Sequence, residues 1–193
     1  MIFRKAILLV HGFAGGLYDY GTLANDLQLY LDFDVYTFTL PGHDKMVISK
    51  VKKEDWIKAA ETQVETLIKR GYKKIYIIGH SMGGVIACHL AKKYPQVKKL
   101  ILAAPAFRYF TFKKDKFDLI ASLKQAPELI KDYTLEGVLS RVFKVPINTA
   151  LEFTKLVKEH YNDPKDITCP TLIIYGNNDK IVPIESPKYV HNN

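Results

Sequence analysis

Lys74-Ile75-Tyr76-Ile77-Ile78-Gly79-His80-Ser81-Met82-Gly83-Gly84-Val85-Ile86-Ala87 is the stretch whose reading decides the fold. Lys74–Ile78 has the length and apolar character of a buried strand, and Val85 to Tyr94 reads as a helix that stops before Pro95. Between them stands a Gly-x-Ser-x-Gly pattern, Gly79 to Gly83. In 193 residues with 11 glycines it is expected about 0.016 times by chance. Its position says more than its pattern. A sharp strand-to-helix turn holds a serine with its hydroxyl projecting from the sheet, and small flanking residues relieve the crowding. The helix behind it presents N–H groups and partial positive charge to a developing anion. A plain turn without chemistry is the alternative reading.

Working outward, strand and helix signals alternate. Ala6–Val10 is an unbroken apolar run ending at His11-Gly12, as in a strand buried on both faces. Leu23, Leu27 and Leu31 recur at helical spacing, and Val35–Leu40 reads as a second strand closed by Pro41-Gly42. Trp56, Ala60, Val64, Leu67 and Ile68 mark an amphipathic helix ended by Gly71. Lys99–Ala104 and Thr171–Tyr175 are the fourth and fifth strands, the latter closed by Gly176. Such alternation predicts an α/β fold, a doubly wound and mostly parallel sheet with helices on both faces.

One stretch breaks the rhythm. Residues 107–166 contain no strand signal, only helical patterns, and read as a helical lid inserted after the fourth strand. Thr149 and Glu152 are spaced as a capping box for its last helix, with Leu156 and Val157 on the apolar side. Residues 1–193 are expected to form one domain.

Composition narrows the function classes. With 48% hydrophobic and 25% charged residues the chain is ordinary globular material. The formal net charge of +8 comes from scattered lysines, clustered only briefly at Lys52–Lys53 and Lys113–Lys116. No aromatic-plus-basic motif accompanies it, so a solvated surface is expected and nucleic acid is not a partner. Cys88 and Cys169 lack metal-ligand spacing and read as buried thiols in a reducing compartment. The apolar run Ala6–Val10 is too short for a signal peptide or a membrane span, so a cytoplasmic protein without stable membrane insertion is expected.

Two further elements gather around Ser81. In the doubly wound order the first and third strands are neighbours, the topology reverses between them, and ligands bind there. The His11-Gly12-Phe13 turn then meets the Ser81 turn. The backbone N–H groups of Phe13 and Met82 are the candidate oxyanion hole, with Gly15-Gly16 permitting close backbone approach. Asp179, in Gly176-Asn177-Asn178-Asp179, follows the fifth strand and satisfies the order Ser, Asp, His of this motif. A turn-capping aspartate is its alternative reading, and Asp166 is a rival acid.

The His11-Gly12-Phe13 turn, Pro41-Gly42-His43, Asp55-Trp56, Gly79 to Gly84 and Gly176 to Asp179 together resemble the α/β-hydrolase superfamily. Within it the chain is similar to small cap-bearing bacterial carboxylesterases and monoacylglycerol lipases. The resemblance implies hydrolysis of short- or medium-chain carboxylic esters, a small-molecule ester as partner, and neither metal nor organic cofactor. Phe107, Tyr109, Phe110 and Phe112 of the lid are candidates for an acyl pocket, or equally for packing the lid onto the sheet.

The base is not in evidence. A serine hydroxyl needs a group to take its proton. In this order a histidine should stand about 25 residues or more beyond Asp179, after another helix and strand. Only 14 residues follow it. Truncation is therefore the expectation, with impaired turnover. His191, near the end of the last helix, and His160, ending a lid helix, are lesser candidates. His11 and His43 read as loop-shaping residues. Thr171–Tyr175 would then be an exposed apolar edge, favouring self-association. A non-catalytic protein of the same fold, and a thioesterase or acyltransferase, stay open as alternatives.

Overall fold

A computed structural model describes residues 5–30, 33–44, 49–108, 112–113, 116–117, 145–179 and 181–193. Five parallel strands form the sheet: β1 (Lys5–Val10), β2 (Asp34–Thr37), β3 (Lys74–His80), β4 (Val97–Ala103) and β7 (Thr171–Ile174). Their spatial order is β2-β1-β3-β4-β7. The chain runs from β1 outward to β2, then returns to lay β3 on the other side of β1, so the topology reverses between β1 and β3 as expected. β5 (Phe112–Lys113) and β6 (Lys116–Phe117) pair as a minimal antiparallel hairpin. This corrects the expectation of no strand between 107 and 166; two-residue strands are too short to show a period in sequence.

Helices α1 (Leu23–Tyr30), α2 (Lys53–Lys69), α3 (Met82–Lys93), α4 (Ile147–Glu159) and α5 (Glu185–His191) accompany the sheet. Strand alternation decides what each face buries. Ala6, Leu8 and Val10 of β1 enter the larger core with Trp56, Val64 and Leu67 of α2, Val85 and Ile86 of α3, and Phe153 and Leu156 of α4. Ile7 and Leu9 point the other way, to a smaller cluster completed by Tyr20, Ala24 and Leu27. Helix α2 stops where the sequence says it should. Gly71 has φ +91°, and its N–H and that of Tyr72 close a Schellman turn on Ile68 O and Leu67 O at 2.9 and 3.1 Å.

Helix α4 begins two residues before the expected capping box. Pro146 supplies the helix start, with φ −58°, a value its ring imposes. Thr149 Oγ1 instead donates to Ser49 O at 3.3 Å, and Glu152 accepts the N–H of Lys53 at 3.2 Å. Both would-be caps tether α4 to the α2 entry. Leu156 and Val157 are buried as expected. The rest of the expected lid, residues 109–111, 114–115 and 118–144, lies outside the described residues.

Strand β7 pairs with β4 and, among the described residues, with no other strand. Leu172 and Ile174 are 55% and 50% exposed there, so this apolar strand is a sheet edge. No helix among the described residues is long and apolar enough to cross a membrane.

Candidate active site

Ser81 joins β3 to α3 with φ +52° and ψ −115°, in the left-handed region that non-glycine residues avoid. The turn is clamped on three sides. Ser81 N–H donates to Ala103 O at 2.9 Å, and Ser81 O accepts from Gly84 and Ala106 N–H at 2.9 and 3.1 Å. Crowding explains the glycines. A methyl at Gly79 would stand 2.9 Å from Ala87 Cβ, and one at Gly83 2.6 Å from the Val10 carbonyl carbon and 2.7 Å from His11 O. The elbow helix is thus pressed onto the end of β1.

That contact brings the second loop in. A Cβ at Gly12 would lie 3.1 Å from Ser81 Cβ, so the turn after β1 abuts the serine. Two buried histidines shape this turn. His11 donates from Nδ1 to Gly12 O (2.9 Å) and accepts the Leu40 N–H at Nε2 (2.9 Å). His43 donates to Pro41 O (3.1 Å) and accepts the Ala14 N–H (3.3 Å). An imidazole that donates at one nitrogen and accepts at the other is neutral. Burial pushes His11 down to about 4 and His43 below its ordinary value. Both are the loop-shaping residues the sequence suggested. Phe13 is held by its ring, stacked on Phe153 at 5.0 Å and edge-on to Trp56 at 5.8 Å. Trp56 in turn donates to Pro41 O at 3.0 Å, so the Pro41-Gly42-His43 and Asp55-Trp56 motifs form one support. Met82 opens α3, and its N–H belongs to the first turn, whose donors a helix leaves without internal acceptors.

Asp179 lies in the loop after β7, on the same carboxyl-end rim of the sheet. Its Oδ1 accepts from Ile181 and Val182 N–H at 2.8 and 2.9 Å, which fixes the carboxylate and fulfils the turn-capping reading. β7 stands two strands from β3, roughly 10 Å sideways at 4.8 Å per strand. The structure therefore puts Ser81 and Asp179 on one rim, two strands apart and too far apart to touch. The rival Asp166 pairs with Lys92 at 2.9 Å, away from this rim.

All six histidines are placed, and none hydrogen-bonds Ser81. His160 is buried against Asp163 at 2.7 Å and His89, with ring centroids 4.5 Å apart. It is therefore part of the body and not a base folding over the site. His89 lies eight residues along α3 from Ser81, about 12 Å at helical rise. His191 is exposed at the end of α5, its Nδ1 3.2 Å from Asn192 Oδ1. His80 turns Nδ1 toward Asp19 at 3.9 Å. Asp19 is the residue sequence reasoning missed here; nothing in its local pattern, a short 3-10 turn (Leu17–Tyr20), marks it. Phe107 is fully buried, its ring 6.0 Å from that of Tyr189, and packs in the core. Tyr109 and Phe110, and the side chain of Phe112, lie outside the described residues.

A serine held at strained φ over a helix N-terminus, beside the turn of a neighbouring parallel strand, defines a recognisable class. The α/β hydrolase fold family matches residues 5–149, and the chain belongs to that family. It is 26% identical to a carboxylesterase of Bacillus subtilis over 97% of this chain and 77% of that protein. It is likewise 26% identical to a thermostable monoacylglycerol lipase of Bacillus sp. over 92% of this chain and 71% of that one. Among solved structures, the monoacylglycerol lipase of Paleococcus ferrophilus superposes with a TM-score of 0.70 at 20% identity, covering 97% of this chain and 79% of that chain. The chain thus spans about three quarters of the length of these relatives.

Proposed function

We propose that this chain carries the nucleophile of a carboxylic ester hydrolase acting on short or medium acyl esters or monoacylglycerols. The observation that carries the reading is the strained Ser81 elbow pressed against the Gly12-Phe13 turn. Ser81 Oγ attacks the ester carbonyl, and the N–H groups of Met82 and Phe13 hold the resulting oxyanion. The tetrahedral centre collapses, the C–O bond to the alcohol breaks, and the alcohol leaves with a proton. Water then hydrolyses the acyl-serine. Asp179 orients the base that relays these protons across the gap to Ser81. No histidine of the chain occupies that gap, so turnover by these residues alone is impaired; loss of the base in a serine hydrolase costs roughly 10⁶.

The same reading extends to partners. The exposed apolar edge at Leu172 and Ile174 favours self-association of the chain through β7. The name of the Bacillus subtilis relative supports an ester substrate. The test is mass spectrometry after prolonged incubation with p-nitrophenyl butyrate. A butyryl group on the peptide containing Ser81, absent from Ser81→Ala, supports the reading. Acylation confined to other residues refutes it.

A further inference from the structure

Behind the elbow, where α3, the end of α4 and the 3-10 turn Asp163–Asp166 meet, three side chains converge that ester hydrolysis does not use. They are His89, His160 and Asp163, and one ligand atom from each lies within 4.8 Å of the others. Asp163 Oδ2 is the hub, 2.7 Å from His160 Nδ1 and 3.7 Å from His89 Nδ1. Four-coordinate zinc with bonds of about 2.0–2.2 Å sets its ligands roughly 3.3 Å apart, and the two separations from Asp163 Oδ2 lie on either side of that value.

The outward-facing nitrogens point to the same ligand. His89 Nε2 is 2.8 Å from Glu61 Oε1, and His160 Nε2 lies 3.9 Å from Glu159 Oε1. A carboxylate hydrogen-bonded behind the imidazole, as Glu61 is to His89, is the arrangement that orients metal-binding histidines and sharpens their basicity; Glu159, paired with Lys53, stands farther from His160. If His89 gives its proton to Glu61, its Nδ1 lone pair faces the Asp163 carboxylate across 3.7 Å. A cation between two electron-rich atoms so placed relieves their repulsion. Either a proton fills the role, making His89 an imidazolium, or a metal ion does. Lys92 Nζ, 2.9 Å away, engages Asp163 through Oδ1, leaving Oδ2 turned to the imidazoles.

We propose that His89, His160 and Asp163 bind a divalent transition-metal ion, zinc by its preference for imidazole and carboxylate, as a clasp joining α3 to α4 and the 3-10 turn. On binding, the His160 proton moves from Nδ1 to Nε2, toward Glu159, and the proton between His89 Nδ1 and Asp163 is released to solvent, leaving both rings neutral with a free Nδ1 lone pair. A fourth position is left to water. His89 and His160 both bind through Nδ1, and Glu61 is a positioning residue. The site has no part in the ester chemistry and stands whether or not that reading does.

The test uses the full chain after chelator treatment, with Zn2+ alone as the probe, followed by calorimetry and thermal melting. The expected result is saturation at one equivalent, with Tm raised by roughly 5 °C or more at a hundredfold excess over Kd. His89→Gln and His160→Gln, each with unchanged circular dichroism, should weaken binding at least tenfold. Glu61→Gln should weaken it by about 10–100-fold. Cobalt substituted into the wild-type chain gives an independent readout that needs no variant. Four-coordinate visible bands without thiolate charge transfer are expected, which separates this site from Cys88 and Cys169. No saturable binding would show that a proton alone holds the cluster. Binding that survives both histidine substitutions, or carries a thiolate signature, would equally overturn the proposal.

Discussion

Gly83→Ala sets two physical effects against each other, and the structure says which wins. Gly83 lies in the first turn of α3, where replacing glycine by alanine gains about 1 kcal/mol of helix propensity. The added methyl, however, would stand 2.6 Å from the Val10 carbonyl carbon and 2.7 Å from His11 O, with Val10 O closer still. Those atoms are backbone at the end of β1, which is hydrogen-bonded to β2 on one side and β3 on the other. They cannot rotate aside as a side chain would. Overpacking in a core costs typically about 1–3 kcal/mol, and a rigid backbone obstacle belongs at the upper end. The net expectation is a loss of about 2 kcal/mol or more, or a Tm lowered by roughly 4–8 °C for a chain of this size. The assay is urea and thermal unfolding followed by fluorescence of Trp56, the single and fully buried tryptophan. A Gly83→Ala chain as stable as wild type, or more so, would refute the tight elbow-to-β1 contact on which the site's geometry rests.

Other expectations follow from the same geometry. Phe107→Ala should destabilise the fold by about 3–5 kcal/mol, since its ring is wholly buried in the core; an unchanged Tm would contradict that placement. His11 is neutral in the fold because burial depresses it to about 4, from an ordinary value of 6.5. Its contribution is therefore present above pH 6.5 and lost as the pH falls toward 4, up to about 3 kcal/mol. Urea midpoints across that window should fall, and the fall should be shallower in His11→Gln; equal slopes would contradict it. The wild-type chain should associate with rising concentration in light scattering, and Leu172→Lys should oppose this by charging the edge. A wild-type monomer over a wide concentration range would count against association through β7.

The sequence made the sheet legible because a buried parallel strand is a short apolar run with a sharp stop. All five runs are strands, displaced by at most three residues at either end. The elbow was legible for a related reason: the glycines at 79 and 83 record contacts with Ala87 and Val10 that admit no Cβ. What local pattern could not supply was long-range company. Thr149 and Glu152 have the spacing of a cap, yet their partners are Ser49 and Lys53, about a hundred residues away. The same holds for His89, His160 and Asp163. His160 and Asp163 share a three-residue spacing, but His89 joins them only because α3 packs against the turn that follows α4. Asp179 is the mixed case. Its position after β7 was readable, whereas the two N–H groups that hold its Oδ1 are a property of the folded loop.

The proposal that Ser81 is a nucleophile to which no histidine of this chain is bonded rests on the elbow's geometry. Its most direct test is chemical rescue: hydrolysis of p-nitrophenyl butyrate by wild type and Ser81→Ala, titrated with free imidazole. Little turnover is expected without imidazole, and a rise with imidazole in wild type alone, above the background both proteins share. Identical imidazole dependence in the two proteins, or full Ser81-dependent turnover with no imidazole added, would contradict it.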